Sequence, residues 1–379
     1  MNTLRWEDYF LRKNAQFHDF WQNYLKQDRD ILFVLGHGFD PRMCLCSQAI
    51  LDKNGNGKRD FVVVNFVEGE NSPSKDYRQE VENNMKQLEE SVDKRGKIVQ
   101  KSIQMENDDG YRIGPREAVD IFKTYSDFEN YTDIVVDVSS MPFNIYIPLI
   151  GKILLILDRE KASGNKMISN LHVTVAENST IDRSIKKSGL YDEATYLYGF
   201  TGNLETISSE EEPTVWIPIL GEQQEGQIEL IENHVSPKEI CPVLPFPSVN
   251  PRRGDDLMLD YRELLMERLS IELRNIIYAA EQNPFELYRQ VQKTIEHYRD
   301  ALHPLGKCKF AISSLSSKLM SIGAFLVAYE ESISNKRKVG IAYVESKGYS
   351  MKKGASSDMN IRSCEFFSLW IFGDCYSTS

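Results

Sequence analysis

The sequence predicts an α/β protein: a Rossmann-like, mostly parallel sheet with helices on both faces, plus a helical insertion. Three observations lead there. Short apolar runs rich in β-branched and aromatic residues, such as Ile31–Leu35, Ile134–Val138, Leu171–Ala176 and Thr214–Leu220, have the composition of strands buried on both faces. Helical patterns separate these runs, an alternation that suits parallel pairing. Several runs also stop at small polar residues: Gly36-His37-Gly38, Ser139-Ser140, Glu177-Asn178-Ser179, Gly221-Glu222 and Ser313-Ser314. In an open parallel sheet such ends converge on the edge where ligands bind.

Residues 4 to 28 place Trp6, Tyr9, Phe10, Phe17, Phe20, Trp21 and Tyr24 at spacings of three and four, which predicts an aromatic amphipathic helix or helix pair. It would pack on the first strand or on a protein partner. Ile31–Leu35 is the first central strand, closed by the glycine loop. Asp52–Arg59 is a polar turn; it lacks the glutamate and second helix of a calcium loop, because Val63 stands in an apolar strand, Phe61–Phe66. A polar helix over Lys75–Val92, a short strand over Lys97–Ile103 and a helix from Gly114 to about Tyr125, with Pro115 in its first turn, follow.

Ile134–Val138 is the second central strand, and Ile145–Leu157 a buried helix too short and interrupted to span a bilayer. Leu171–Ala176 and Thr214–Leu220 complete the central strands. Cys241–Pro251 is proline-rich and reads as an extended connection, not a central strand. Two long helices are expected over 257–302 with a break near Asn283-Pro284. Lys309–Ser313 is a short strand, Leu315–Tyr329 a helix and Val339–Val344 the last strand, before a polar tail around the apolar patch Cys364–Gly373. This reading divides the chain into an aromatic helical segment (1–28), a Rossmann-like core (29–250), a helical insertion or cap (251–305) and a C-terminal strand-helix-strand returning to the core sheet (306–379).

A formal charge of −11 argues against a nucleic-acid duplex as partner, since that affinity comes from clustered cations on phosphates. Six cysteines have neither the paired spacing of a zinc site nor the density of a disulfide scaffold, and Cys44-x-Cys46 has no second half-site, so no metal is predicted. The charged N-terminus lacks a signal-peptide core, which makes the cytoplasm the expected compartment and a membrane no partner.

The loop Gly36-His37-Gly38-Phe39-Asp40-Pro41-Arg42 puts a base, an acid and a cation within six residues. It is not a dinucleotide fingerprint, because Pro41 replaces the third glycine, and no phosphate-binding G-x-x-x-x-G-K-[ST] loop occurs. His37 is the candidate catalytic residue with Asp40, if the chain is an enzyme; alternatively His37 orders the turn while Asp40 and Arg42 pair with each other. Gly36, Gly38, Arg42, Ser139 and Ser140 are candidate ligand contacts at the same edge. Asp137, inside its strand, needs a polar partner or could hold Arg42 or a ribose hydroxyl. Arg252 and Arg253 could clamp a phosphate, or pair with Asp255 and Asp256. Ser317 and Lys318 open a helix, where a cation is poorly placed for the helix dipole unless an anion sits beside it.

Ser317-Lys318-Leu319-Met320, after an apolar strand, resembles the threonine-lysine-x-methionine step of CARF-type domains, Rossmann-like sensors of cyclic oligonucleotides in prokaryotic antiviral defence. The resemblance covers some 20 residues, and Leu315-Ser316 stand where that family carries a glycine pair. It implies a nucleotide-responsive regulatory role with Ser317 and Lys318 near the ligand. No attached ribonuclease motif is complete, since Arg299 and His303 are one residue too close.

Three functions are therefore expected to compete. One is a nucleotide- or phosphate-binding sensor or regulatory subunit, oligomeric, whose cofactor stays unspecified. Another is a hydrolase of a nucleotide or small phosphorylated substrate with His37 as general base. The third is an assembly subunit without a ligand, working through the aromatic N-terminal helix.

Overall fold

A computed structural model describes residues 4–376, apart from 54, 70–71, 94, 167, 205–211, 306, 335–337 and 352–362. In chain order its strands are β1 (Phe10–Lys13), β2 (Ile31–His37), β3 (Arg59–Val67), β4 (Ile98–Gln104), β5 (Asp133–Asp137), β6 (Asn170–Glu177), β7 (Ile185–Lys187), β8 (Leu190–Tyr196), β9 (Thr214–Ile219), β10 (Glu239–Ile240), β11 (Val243–Pro245), β12 (Ile277–Ala279), β13 (Lys309–Ser314), β14 (Val339–Ser346), β15 (Tyr349–Met351) and β16 (Glu365–Phe372). Its α-helices are α1 (Ala15–Tyr24), α2 (Leu45–Leu51), α3 (Arg78–Val92), α4 (Gly114–Val119), α5 (Phe143–Ala162), α6 (Ser179–Ser184), α7 (Glu225–Val235), α8 (Arg253–Asp260), α9 (Pro284–Leu302) and α10 (Lys318–Ile333).

The expected α/β architecture is present, but it is built twice. The chain forms two compact units: Tyr9–Gly189 with Ser346–Ser379, and Met1–Asp8 with Leu190–Glu345. The first unit carries a seven-stranded sheet in the order β1-β16-β6-β5-β2-β3-β4. Strands β6, β5, β2, β3 and β4 are mutually parallel, and β16 runs antiparallel to β6 and to β1. Alternation along β2 sorts the core. Ile31, Phe33 and Leu35 face a cluster with Phe17 and Trp21 of α1, Ile50 of α2 and Leu88 of α3, while Leu32, Val34 and Gly36 face the other side, where α4 and α5 pack together.

The second unit has its own sheet, ordered β12-β11-β9-β13-β14-β8, with β10 also on β9. Trp216, Ala311 and Ala342 face α7 and α8. Fully buried residues of opposite parity, among them Val215, Ile217, Phe310 and Ile312, face the side of α9 and α10. Gly323 permits the close α9–α10 approach, because a Cβ there would lie 2.7 Å from Pro284 O.

This corrects the sequence-based division. β13 and β14 do not return to the first sheet but pair with β9 in the second. Residues 251–305 are not a helical insertion alone, since they supply β12 as well as α8 and α9. Residues 1–28 split between the units: Trp6 packs at 5.5 Å on Tyr288 of the second, whereas β1 and α1 belong to the first. Cys241–Pro251 does contain an interior strand. β11 lies between β9 and β12 because it bonds largely through carbonyls, Val243 O accepting from Leu220 N and Pro242 O from Ile277 N, for which a proline N–H is not needed. The apolar patch Cys364–Gly373 finds its partner as β16, antiparallel to β6. Much of the expected polar tail, residues 352–362, lies outside the described residues.

Candidate functional site

The first sheet grows outward from β2 in both directions. The chain passes from β2 to β3 and β4 on one side, then returns to β5 and β6 on the other. The carboxyl ends of β2 and β5 are therefore the switch point, the place where open α/β sheets bind ligands. Gly36 is required there by contact, because a Cβ would lie 2.8 Å from Met141 Cγ and 2.9 Å from Phe66 Cζ. Ser140 Oγ donates to Gly36 O at 2.8 Å and ties the two loops together. At Gly38 a Cβ would meet only Ser140 O at 3.6 Å, an ordinary van der Waals contact.

His37 closes β2, half-buried, with Nδ1 2.7 Å from Asn65 Oδ1 in the neighbouring β3. Asn65 Nδ2 donates to Gln100 Oε1 of β4 at 2.9 Å. With the Asn65 oxygen turned to the ring, His37 Nδ1 is the donor of this contact. His37 Nε2 is a buried atom with no protein hydrogen-bond partner. The loop after β2 is held by Phe39, packed 4.6 Å from Tyr77, and by Asn84, whose Nδ2 donates to both Gly38 O and Asp40 O.

The other loop residues are engaged in structure. Arg42 is buried, with Nε and Nη2 on the two Asp40 oxygens at 3.0 and 2.8 Å and Nη1 on Asp182 at 2.8 Å. Burial opposes its charge, but the two carboxylates outweigh burial and raise its pKa. Asp40 therefore does not orient His37; Asn65 occupies that role. Ser139 is fully buried and its hydroxyl is engaged within the protein, donating to Asp137 Oδ1 and accepting from Ala176 N at 2.9 Å. Asp137 is thus a local cap for the strand end, not a partner of Arg42.

Arg252, Arg253, Ser317 and Lys318 belong to the second unit and His37 to the first. That unit's own switch point lies between β9 and β13, which are followed by Gly221-Glu222 and by Ser317-Lys318 respectively. Gly221 is required there, since a Cβ would come within 2.0 Å of Leu315 O. Arg253 pairs through Nε and Nη2 with Glu222, both at 2.8 Å, and through Nη1 with Glu281, instead of with Asp255 or Asp256. Arg252 is exposed, 3.9 Å from Asp256. Ser317 caps α10 by accepting from Met320 N at 3.3 Å, and the first turn of α10 holds no acidic residue.

Asn65, Gln100 and Asn84 were missed by reasoning from sequence. Asn65 left a readable signal: in Phe61-Val-Val-Val-Asn65 it shares the parity of the core residues Phe61 and Val63, and a buried-face polar residue at a strand's end needs a partner. Among the described residues no group of three or more His, Cys, Asp or Glu could hold a metal ion, and no helix is long and apolar enough to cross a membrane.

No family model and no curated protein matches the sequence. Among solved structures, a candidate universal stress protein from Pseudomonas aeruginosa UCBPP-PA14 is 9% identical, over 84% of this chain and 94% of its own, with a TM-score of 0.21. A functionally unknown protein from Pseudomonas aeruginosa PAO1 is also 9% identical, over the same shares, with a TM-score of 0.22. Superposition at that level is distant and says nothing of ligand or activity.

Proposed function

We propose that this chain is a ligand-binding regulatory protein that takes a nucleotide or other small phosphorylated molecule at the switch point of its first sheet. The observation that carries the reading is His37 Nε2, a buried ring nitrogen without a protein partner at the carboxyl ends of parallel strands, its ring held through Nδ1 by Asn65. Such an atom accepts a hydrogen bond from a ligand hydroxyl, as a ribose would offer. The orienting partner is an amide, which fixes the ring but adds no negative charge to stabilise an imidazolium. This favours recognition over proton abstraction.

The second edge, with Lys318 at the start of α10, is the other candidate contact for phosphate; the antiviral context rests on the Ser317–Met320 resemblance alone. Hydrolysis with His37 as general base is the second reading, favoured by the same ring nitrogen.

The test incubates the chain with a pool of ATP, GTP, NAD and cyclic oligonucleotides, then chromatographs the solution and the denatured protein separately. The proposal expects one compound unaltered in the protein fraction, lost on His37→Ala. Binding that survives His37→Ala but not Lys318→Ala would move the site to the second unit. Loss of a compound from the pool would establish the hydrolase, and neither retention nor loss of any compound would refute both readings.

A further inference from the structure

Beneath α1, the first unit buries an unusual row of polar side chains. Trp21, His172, Thr174 and Ser368 are all fully buried, and Trp21 Nε1, His172 Nδ1, Thr174 Oγ1 and Ser368 Oγ have no protein hydrogen-bond partner. The fold places them together. His172 and Thr174 lie two residues apart on the α1-facing side of β6, and Ser368 of β16 is directly opposite Thr174. The Trp21 ring packs against His172 with centroids 5.1 Å apart. Phe17 on Phe366 and Tyr24 on Trp370 bracket the row along β16, at 5.4 and 5.3 Å.

The donors and acceptors are complementary to one kind of ligand. His172 Nε2 lies 3.3 Å from Asp133 Oδ1, which also accepts from Tyr24 OH at 2.7 Å, so Nε2 carries the proton and Nδ1 is an obligatory acceptor. Trp21 Nε1 is an obligatory donor, and the two hydroxyls serve either way. The Cys46 thiol beside Thr174 is only a weak donor. A cation at this place would meet the indole N–H, and an anion would meet the His172 lone pair. A neutral species that both donates and accepts fits every member. Four buried polar groups left idle would together cost an amount comparable with a domain's whole stability.

We propose that this row is a binding site for ordered water, which accepts from Trp21 Nε1 and donates to His172 Nδ1, with Thr174 and Ser368 completing its hydrogen bonds. The water extends the chain Tyr24–Asp133–His172 into the interior and fixes the His172 tautomer from its second nitrogen.

Two measurements test this. A crystal structure of the full chain, at a resolution that shows waters, should have density within hydrogen-bond distance of Trp21 Nε1 and His172 Nδ1. The near-isosteric double variant, Thr174→Val with Ser368→Ala, gives an independent sign. If water is bound, removing both hydroxyls strands Trp21 and His172, and Tm falls by about 2–8 °C. If the hydroxyls are idle, their replacement by apolar groups leaves Tm unchanged or raises it. Absent density, direct bonds among the four side chains, or an unchanged or raised Tm would overturn the proposal. Should the variant not fold, the wild-type indole N–H decides by NMR: a cross-peak to long-lived water supports the site, and its absence refutes it.

Discussion

Replacing Arg42 by alanine tests whether the loop after β2 is held by a buried ion pair. Arg42 is 2% exposed and places three nitrogens on carboxylates, two on Asp40 and one on Asp182. The Asp182 side chain is half exposed, so water replaces the guanidinium there and the loss is small, about 0–1 kcal/mol. The Asp40 side chain is only 11% exposed and would keep one bond, from Arg42 N at 2.9 Å. Breaking a buried pair from one side costs about 3–5 kcal/mol, and the surviving backbone bond places this case near the lower end. Replacing both partners, Arg42→Met with Asp40→Asn, leaves no stranded charge and should cost about 1 kcal/mol. Because two units can unfold separately, native-state hydrogen exchange of the β2 amides is the suitable assay. A loss of about 3 kcal/mol accelerates their exchange by roughly 10²-fold where it proceeds through unfolding of this unit. Acceleration below about tenfold in Arg42→Ala, or a double variant no better than the single, would refute the buried pair.

Other perturbations follow from the same geometry. Burial lowers the pKa of His172 below its usual 6.5 despite Asp133, whose charge is already met by Tyr24, Thr132 and Arg29. Below pH 6.5 the unfolded chain therefore takes a proton that the folded chain refuses. Stability falls as pH drops from 6.5 toward the folded pKa, by up to about 1.4 kcal/mol per pH unit; equal pH slopes for wild type and His172→Gln in urea titrations would contradict this. Gly221→Ala drives a Cβ to within 2.0 Å of Leu315 O and should destabilise the second unit by about 3 kcal/mol. Gly226→Ala in α7, with nothing within 4 Å of the new Cβ, should stabilise it by up to about 1 kcal/mol. Thermal unfolding of the two variants side by side checks both, and shifts of the same sign would contradict the assigned contacts.

The class of fold was legible because hydrophobic runs are a local property. Ile31–Leu35, Ile134–Val138 and Leu171–Ala176 are buried on both faces, and their composition shows it without reference to a partner. The position of the loop after β2 followed from the same run. Which strands share a sheet is a non-local fact, and a run such as Lys309–Ser313 looks alike whether it pairs with β2 or with β9. Tertiary structure alone therefore decided that there are two large sheets among the described residues, and that Lys318 and His37 belong to different units. It also decided the chemistry of His37. The sequence placed a histidine between two glycines and offered Asp40 as its partner, but only the alignment of β2 with β3 brings Asn65 to its ring, while Arg42 draws Asp40 away. A side chain's type is written in the chain; the atom it meets is set by strand register, which depends on residues far away in sequence.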